Sequence, residues 1–90
     1  MTLEMKKFGK ILNSRSSGRE AVLRARQIIN GSQGFDQIIL DFSEVEIMSP
    51  SFADEFISGI RGAYSGKKIK IEGIKGNIVI KDTLEKLKLL

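Results

Sequence analysis

A helix predicted for the middle of the chain constrains the fold more than any other feature of the sequence. Its apolar side chains recur at positions i, i+1, i+4, i+5, i+8, i+11 and i+12, which places them in one stripe. These residues are Phe52, Ala53, Phe56, Ile57, Ile60, Ala63 and Tyr64. Ser49 suits the N-cap and Pro50 the first helical position, where a missing N–H group is tolerated. Such a one-sided helix has to pack on a second layer of structure.

Three segments have the composition of β-strands. The apolar run Ile38-Ile39-Leu40 follows Gly34 and is closed by Asp41, which is typical of a central strand buried on both faces. Lys68-Ile69-Lys70-Ile71-Glu72 alternates strictly, which predicts a peripheral strand with one face in water. The segment from Leu3 to Leu12 is interpreted as an opening strand or a short bent pair of strands.

Two further helices are predicted on either side of these segments. Ser17-Gly18-Arg19-Glu20 fits a capping box, so the first helix should start there, with Asn30-Gly31 as a left-handed stop. Its buried side would carry Val22, Ala25, Ile28 and Ile29. After Gly76 the pattern allows a hairpin strand over 77–81 or a helix from about Asn77, and an Asp82/Lys86 pair at i,i+4 favours the helix.

Alternating strands and helices predict an α/β fold. Ninety residues suffice for one core and are too few for two, so residues 1–90 are expected to form a single small domain. We expect about four strands in a mostly parallel or mixed sheet flanked by helices. No apolar run approaches the roughly 20 residues that cross a bilayer, and the start lacks a signal-peptide core, so a cytoplasmic location away from membranes is expected.

The composition favours a binding or signalling module over an enzyme. The chain has no cysteine and no histidine, which removes disulfides, thiolate chemistry, the usual general base and the commonest metal ligand. We therefore expect no cofactor and no metal. The net charge is +4, and most of the basic excess lies in the first 26 residues. A solvated surface is favoured for these cations over a functional basic patch.

The junction between the apolar run and the striped helix is the most informative segment. A strand that leads into a helix N-terminus presents free N–H groups where a phosphate or carboxylate can bind, and Ser51 lies there. Two interpretations stay open for Ser51: a capping box with Asp54, or a phosphoacceptor. Asp41 would end the strand by hydrogen-bonding loop amides or, less favoured, act as a catalytic carboxylate. Gly59 and Gly62 indicate a close backbone approach, either within the domain or by a partner.

The same segment resembles the STAS superfamily, which includes domains of sulfate transporters and anti-sigma factor antagonists. Leu40-Asp41-Phe42-Ser43 and Val45 match the strand end of the antagonists, and Ser51 falls on their phosphorylated serine. Three of the four residues of their Asp-Ser-Ser-Gly signature differ, with Ser49, Pro50 and Phe52 in place of aspartate, serine and glycine.

A STAS-like branch of unknown function is the better match. Its members resemble this chain in Ser51-Phe52-Ala53-Asp54-Glu55 and in Ser14-Arg15-Ser16, and the resemblance extends from about Leu12 to Leu90. That branch is often found beside or fused to histidine-kinase-like ATPase modules. The resemblance thus implies a non-enzymatic signalling domain whose partner is such an ATPase, of the anti-sigma kinase type, with phosphorylation at Ser51 as the switch.

The expected docking edge is the end of that strand–loop–helix segment. Its residues are Met48, Ser49, Pro50, Ser51, Asp54 and Glu55. The alternative function, drawn from net charge, is a nucleic-acid-binding adaptor that uses the basic N-terminal third.

Overall fold

Three α-helices and five strands alternate along the chain in the computed structural model, which describes residues 1–32 and 34–90. The elements are β1 (Thr2–Glu4), a 3-10 helix (Met5–Phe8), β2 (Ile11–Leu12), α1 (Arg15–Asn30), β3 (Gln37–Asp41), β4 (Ile47–Met48), α2 (Pro50–Ala63), β5 (Lys68–Glu72) and α3 (Ile78–Lys86). The predicted α/β class is confirmed.

The strands form two parallel sheets instead of one sheet of about four strands. β1, β3 and β5 lie in the order β1-β3-β5, and β2 pairs with β4. The 3-10 helix separates β1 from β2, and Gly9 follows it with a φ of 128° that glycine tolerates best. This bend sends the opening segment out of the first sheet and into the second. Of the two interpretations of that segment, the bent pair of strands is therefore the correct one.

β3 is the central strand, as predicted, but only one of its faces is fully buried. Ile38 and Leu40 are inaccessible to solvent, whereas Ile39 is only half-buried on the opposite face. Ile39 lies level with Thr2 of β1 and Lys70 of β5, both of which are exposed. The core therefore occupies one face of this sheet, and β5 is the half-exposed edge strand that its alternating sequence predicts.

α1 begins three residues earlier than the sequence suggests. Ser14 is its N-cap, and the Ser14 hydroxyl oxygen accepts a hydrogen bond from the Ser17 N–H at 3.2 Å, so the predicted Ser17 capping box is wrong. The predicted left-handed stop is also wrong, because Gly31 has right-handed angles of φ −77° and ψ −10°. Ala25 and Ile29 on the predicted apolar side are buried, whereas the other two members are half-buried.

α2 confirms its predicted start and most of its apolar stripe. Ser49 is the N-cap and Pro50 the first helical residue, and the stripe is fully buried from Phe52 to Ile60. Ala63 is exposed, contrary to the prediction, whereas Tyr64, the last member of the predicted stripe, is half-buried. The Tyr64 hydroxyl donates to Asn30 Oδ1 at 2.8 Å, which ties the end of α2 to the end of α1.

α3 is a helix, which settles the ambiguity after Gly76. Asn77 caps it by accepting from the Ile80 N–H at 3.1 Å, and the predicted Asp82–Lys86 ion pair forms at 3.0 Å. The buried Thr83 hydroxyl donates to the Met48 carbonyl at 3.4 Å. α3 therefore packs beside β4.

α1 and α2 pack closely because glycines lie at their contact. A Cβ at Gly59 would come within 2.7 Å of a Val22 methyl group, and one at Gly18 within 3.1 Å of the Phe52 carbonyl oxygen. The predicted close approach is therefore confirmed for Gly59 and lies within the domain. Gly62 has no heavy atom within 4 Å of its added Cβ among the described residues, so it plays no such part.

Candidate docking site

The Ser49 side chain organises the start of α2. Its Oγ accepts hydrogen bonds from the Phe52 N–H at 3.2 Å and from the Ser14 N–H at 3.3 Å. One hydroxyl oxygen therefore takes up a free N–H of α2 and the main chain of the α1 N-cap. Ser49 thereby joins the starts of the two helices.

The two parallel strands β2 and β4 place these helix starts side by side. The Ser49 N–H donates to the Leu12 carbonyl at 2.8 Å, and each strand is followed within two residues by its helix N-cap. Ser14 has a φ of 74° and a ψ of 153°, a conformation that non-glycine residues adopt only when surrounding contacts impose it. The contact with Ser49 is one such constraint.

Ser51 is the second residue of α2, and its side chain is exposed. The predicted capping box of Ser51 with Asp54 is therefore wrong. Ser49 is the N-cap of α2, and its hydroxyl oxygen already accepts a hydrogen bond from the Phe52 N–H. A second helical residue cannot also be the N-cap. Of the two interpretations of Ser51, the phosphoacceptor is the one that the structure leaves open.

Opposite charges join α1 to α2 beside Ser51. Arg15 Nη1 lies 3.0 Å from Asp54 Oδ2 and 3.0 Å from Glu55 Oε2, and Arg19 Nη1 lies 3.2 Å from Glu55 Oε1. We call Arg15, Arg19, Asp54 and Glu55 the ion-pair cluster. The hydrogen bonds to Asp54 and then to Glu55 hold the pKa of Arg15 above its usual range.

The cations of the basic N-terminal third are exposed, as predicted, but several of them are paired with carboxylates. The first turn of α1 contains no acidic residue, although the positive end of a helix dipole favours one, and Arg15 lies there instead. Asp54 and Glu55 supply the missing negative charge from α2. Lys6 is paired as well, with Glu44 at 2.8 Å. Several of these exposed cations are therefore paired within the domain.

The residues of the expected docking edge differ in accessibility. Pro50 and Ser51 are exposed, Ser49 is half-buried and used as a cap, and Asp54 and Glu55 are half-buried within the ion-pair cluster. Met48 is only 2% exposed, so its side chain belongs to the core and is not available to a partner. The exposed part of the edge is thus the first turn of α2.

Asp41 ends β3 through the loop that follows it. Its Oδ1 accepts hydrogen bonds from the Ser43 N–H at 3.0 Å and from the Ser43 hydroxyl at 2.7 Å. These bonds, the main-chain one first, lower the pKa of Asp41 from its ordinary value of 3.8. The favoured interpretation of Asp41 as a strand-ending residue is consistent with these contacts.

This lowered pKa predicts how stability depends on acid. A folded-state pKa below the unfolded one adds stability above pH 3.8, and this stability is lost as the pH falls through the folded-state pKa. We expect Asp41→Asn to lower the urea midpoint at neutral pH and to converge with the wild type near about pH 2. Asp36→Asn, at an exposed aspartate, is the control. If the urea midpoints of Asp41→Asn and of the wild type decrease in parallel as the pH is lowered, the stabilising role of Asp41 is contradicted.

The comparisons with known proteins identify the family. A family model described as a STAS-like domain of unknown function matches residues 21–79, more than half of the chain. The chain belongs to this family of STAS-like domains. A search of curated proteins and a search of solved structures found no match. STAS-like domains are generally non-catalytic binding modules, which supports a regulatory or interaction role for this chain.

Two properties of the described residues accompany this assignment. Within residues 1–32 and 34–90, no helix has both the length and the apolar character needed to span a bilayer. The same residues contain no group of three or more carboxylates that could together hold a metal ion.

The ion-pair cluster is the part of the site that sequence reasoning missed. The available signal was the pair Asp54–Glu55 in the first turn of one helix and Arg15 and Arg19 near the start of another. Complementary charges at the starts of two helices indicate a contact only if the two helices are known to begin side by side. That placement depends on the β2–β4 pairing, which the two short strands do not reveal in the sequence.

Proposed function

We propose that this chain is a non-enzymatic regulatory module that docks onto a protein partner through the start of α2. The partner is a histidine-kinase-like ATPase, and phosphorylation of Ser51 switches docking. The observation that carries the proposal is the exposed Ser51 side chain, which has no capping role because Ser49 fills it. A hydroxyl in the first turn of a helix is accessible to a kinase and lies near N–H groups that favour a phosphate.

The charges around Ser51 support a switch. Residues three and four positions apart share a helix face, so Ser51 lies on the same face as Asp54 and Glu55. A phosphate brings about −1.5 to −2 charges to that face. It would repel the two carboxylates and compete with them for Arg15, which now contacts both at 3.0 Å. A partner that fits the paired, nearly neutral cluster would meet a strongly acidic surface instead.

The size of the edge is compatible with docking. A standard protein interface covers about 800 Å² on each partner, which one helix face and its flanking loop can supply. The ion-pair cluster holds α1 against α2 at this point, so both helices would contribute to the contact.

The Ser51 variants test the switch against a purified histidine-kinase-like ATPase of the anti-sigma kinase type. We expect Ser51→Asp to keep a native-like melting transition and to lose the ATPase, because its charge changes the docking edge without entering the core. Ser51→Ala should keep both folding and binding. Ser65→Asp, at an exposed serine in the turn after α2, is the matched control and should bind as the wild type does. Binding is measured by titration calorimetry.

Two results would contradict the switch. Ser51→Asp that binds the ATPase as tightly as the wild type would exclude a charge-operated edge. Ser51→Ala that unfolds the domain would assign Ser51 a structural role.

The salt dependence of binding separates docking from the alternative function. A mixed apolar and polar interface should tolerate added salt, whereas retention on DNA or RNA should fall steeply as counterions compete for the phosphates. Because Arg15 and Arg19 are already paired with carboxylates, the docking module is favoured over the nucleic-acid-binding adaptor. Tight, salt-sensitive retention on duplex DNA would reverse that preference.

A further inference from the structure

β2 has one edge that is not covered by another strand. In the described part of the chain, β2 pairs only with β4. The Ile47 N–H donates to the Lys10 carbonyl, and the Ser49 N–H donates to the Leu12 carbonyl. Because alternate residues of a strand direct their main-chain groups to opposite sides, Ile11 directs its N–H and C=O groups away from β4. That side of β2 can accept a further strand.

A groove of about 220 Å³ lies along this open edge. β2 and the residue after it form one wall with Ile11, Leu12 and Asn13, and α1 forms the other with residues that include Ala21 and Arg24. The rings of Phe8 and Phe52 also line it. A water molecule occupies about 30 Å³, so this volume has room for an aliphatic side chain. The groove therefore combines a strand edge with a pocket that both polar and apolar side chains line.

The Ile11 side chain extends the apolar surface beyond the groove. It is 62% exposed and stands opposite Ile47 of β4, which is also exposed. When an extended segment adds to the edge of a sheet, main-chain hydrogen bonds hold the new strand and contacts with its alternate side chains select it.

Three exposed cations lie in the groove lining or next to it along the chain. Arg24 lies over the Phe8 ring with its Cζ 5.2 Å from the ring centroid, which fixes the guanidinium above the groove. Lys7 and Lys10 adjoin Phe8 and Ile11 along the chain, and both are exposed. Among the described residues, none of these three cations has a carboxylate within ion-pair distance, and Glu20 is the single acidic residue that lines the groove. An acidic occupant would complement this charge.

We propose that the β2–α1 groove binds an extended, acidic segment of a partner protein. The segment adds to β2 as a strand and hydrogen-bonds the main chain of Ile11. It inserts an aliphatic side chain between β2 and α1, and a carboxylate on it pairs with Arg24. This surface is distinct from the docking edge of α2, so the module would hold a partner at two places.

The probe for this proposal is a labelled heptapeptide of alternating glutamate and valine with blocked ends. We expect saturable binding at concentrations up to about 1 mM, with slowed hydrogen exchange at the Ile11 amide in the full-length chain. Arg24→Glu should weaken binding at least tenfold, because it removes a charge-assisted contact with a peptide carboxylate. Arg26→Glu makes the same change on α1 outside the groove lining and should alter binding less than about twofold. A peptide with lysine in place of glutamate should bind at least about tenfold more weakly.

Three results would overturn the proposal. The first is no binding up to about 1 mM, or binding that leaves exchange at Ile11 unchanged. The second is that the lysine peptide binds as tightly as the glutamate peptide. This comparison still tests the proposal if the Arg24→Glu variant does not fold. The third is protection of the Ile11 amide that rises with protein concentration without peptide, which would assign the edge to a second copy of this chain. None of these results bears on Ser51, so the docking proposal stands or fails separately.

Discussion

Phe56→Ala is expected to lower the free energy of unfolding by about 3–5 kcal/mol. The Phe56 side chain is inaccessible to solvent at the centre of the α2 stripe. Its ring centroid lies 5.8 Å from that of Phe52, nearly parallel to it, and 5.7 Å from that of Phe8. Truncation removes buried area, leaves a cavity in a close-packed core and deletes two aromatic contacts. Urea unfolding followed by circular dichroism measures the loss.

Two further substitutions on α2 check this interpretation. Ile60→Ala, also fully buried, should cost about 2–5 kcal/mol, and Ser58→Ala, at an exposed position, should stay within about 0.5 kcal/mol. A loss below about 1 kcal/mol for Phe56→Ala would mean that this face of α2 does not contact the core.

Gly73→Ala is expected to cost about 2–4 kcal/mol, because it combines backbone strain with overpacking. Gly73 has a φ of 78°, which side chains rarely adopt. A Cβ there would collide with Asp41 Oδ1 and lie 2.6 Å from the Ser43 main-chain nitrogen. Asp41 Oδ1 and the Ser43 N–H form the hydrogen bond that ends β3. The added Cβ would therefore clash with both groups of this bond.

Gly76→Ala separates the two contributions. Gly76 has a similar φ of 84°, but nothing lies within 4 Å of its added Cβ in the described structure. Its substitution should therefore cost only the conformational term, about 1–2 kcal/mol, and the difference between the variants measures the steric part. If Gly73→Ala and Gly76→Ala lower the free energy of unfolding by the same amount, the Asp41–Ser43 turn can rearrange to accommodate the Cβ without a steric cost. Thermal or urea unfolding measures both values.

The strong patterns in the sequence were sufficient to predict α2, β3 and β5, because each of these elements is determined by its own run of residues. The segment of α3 allowed a strand or a helix, and the sequence only favoured the helix. Pro50 fixes a helix start, and the alternation in Lys68–Glu72 fixes a half-exposed strand. The division into two sheets was not predictable, since Ile11–Leu12 and Ile47–Met48 are too short to show a period. The start of α1 was misplaced because Ser14 and Ser17 are both good caps, and only the contact of Ser14 with Ser49 selects between them.

The position of Ser51 in the first turn of α2 was predicted, but the contacts around it were not. Ser51 at the start of α2 follows from local sequence, whereas its release from capping depends on Ser49 filling the N-cap position. The pairing of Arg15 with Asp54 and Glu55 joins segments that lie far apart along the chain, so no local pattern contains it.

The parallel pairing of the strands has a consequence for the order of folding. Leu3 aligns with Leu40, Leu12 with Met48 and Ile38 with Ile69, so each sheet contact closes a loop of more than thirty residues. Loop closure on that scale costs entropy before any contact repays it, and folding slows as contacts become less local. The helices are local structures, whereas the contact between Ser14 and Ser49 requires β2 and β4 to lie side by side. A partner that recognises the start of α2 therefore recognises a surface that exists only in the completed fold.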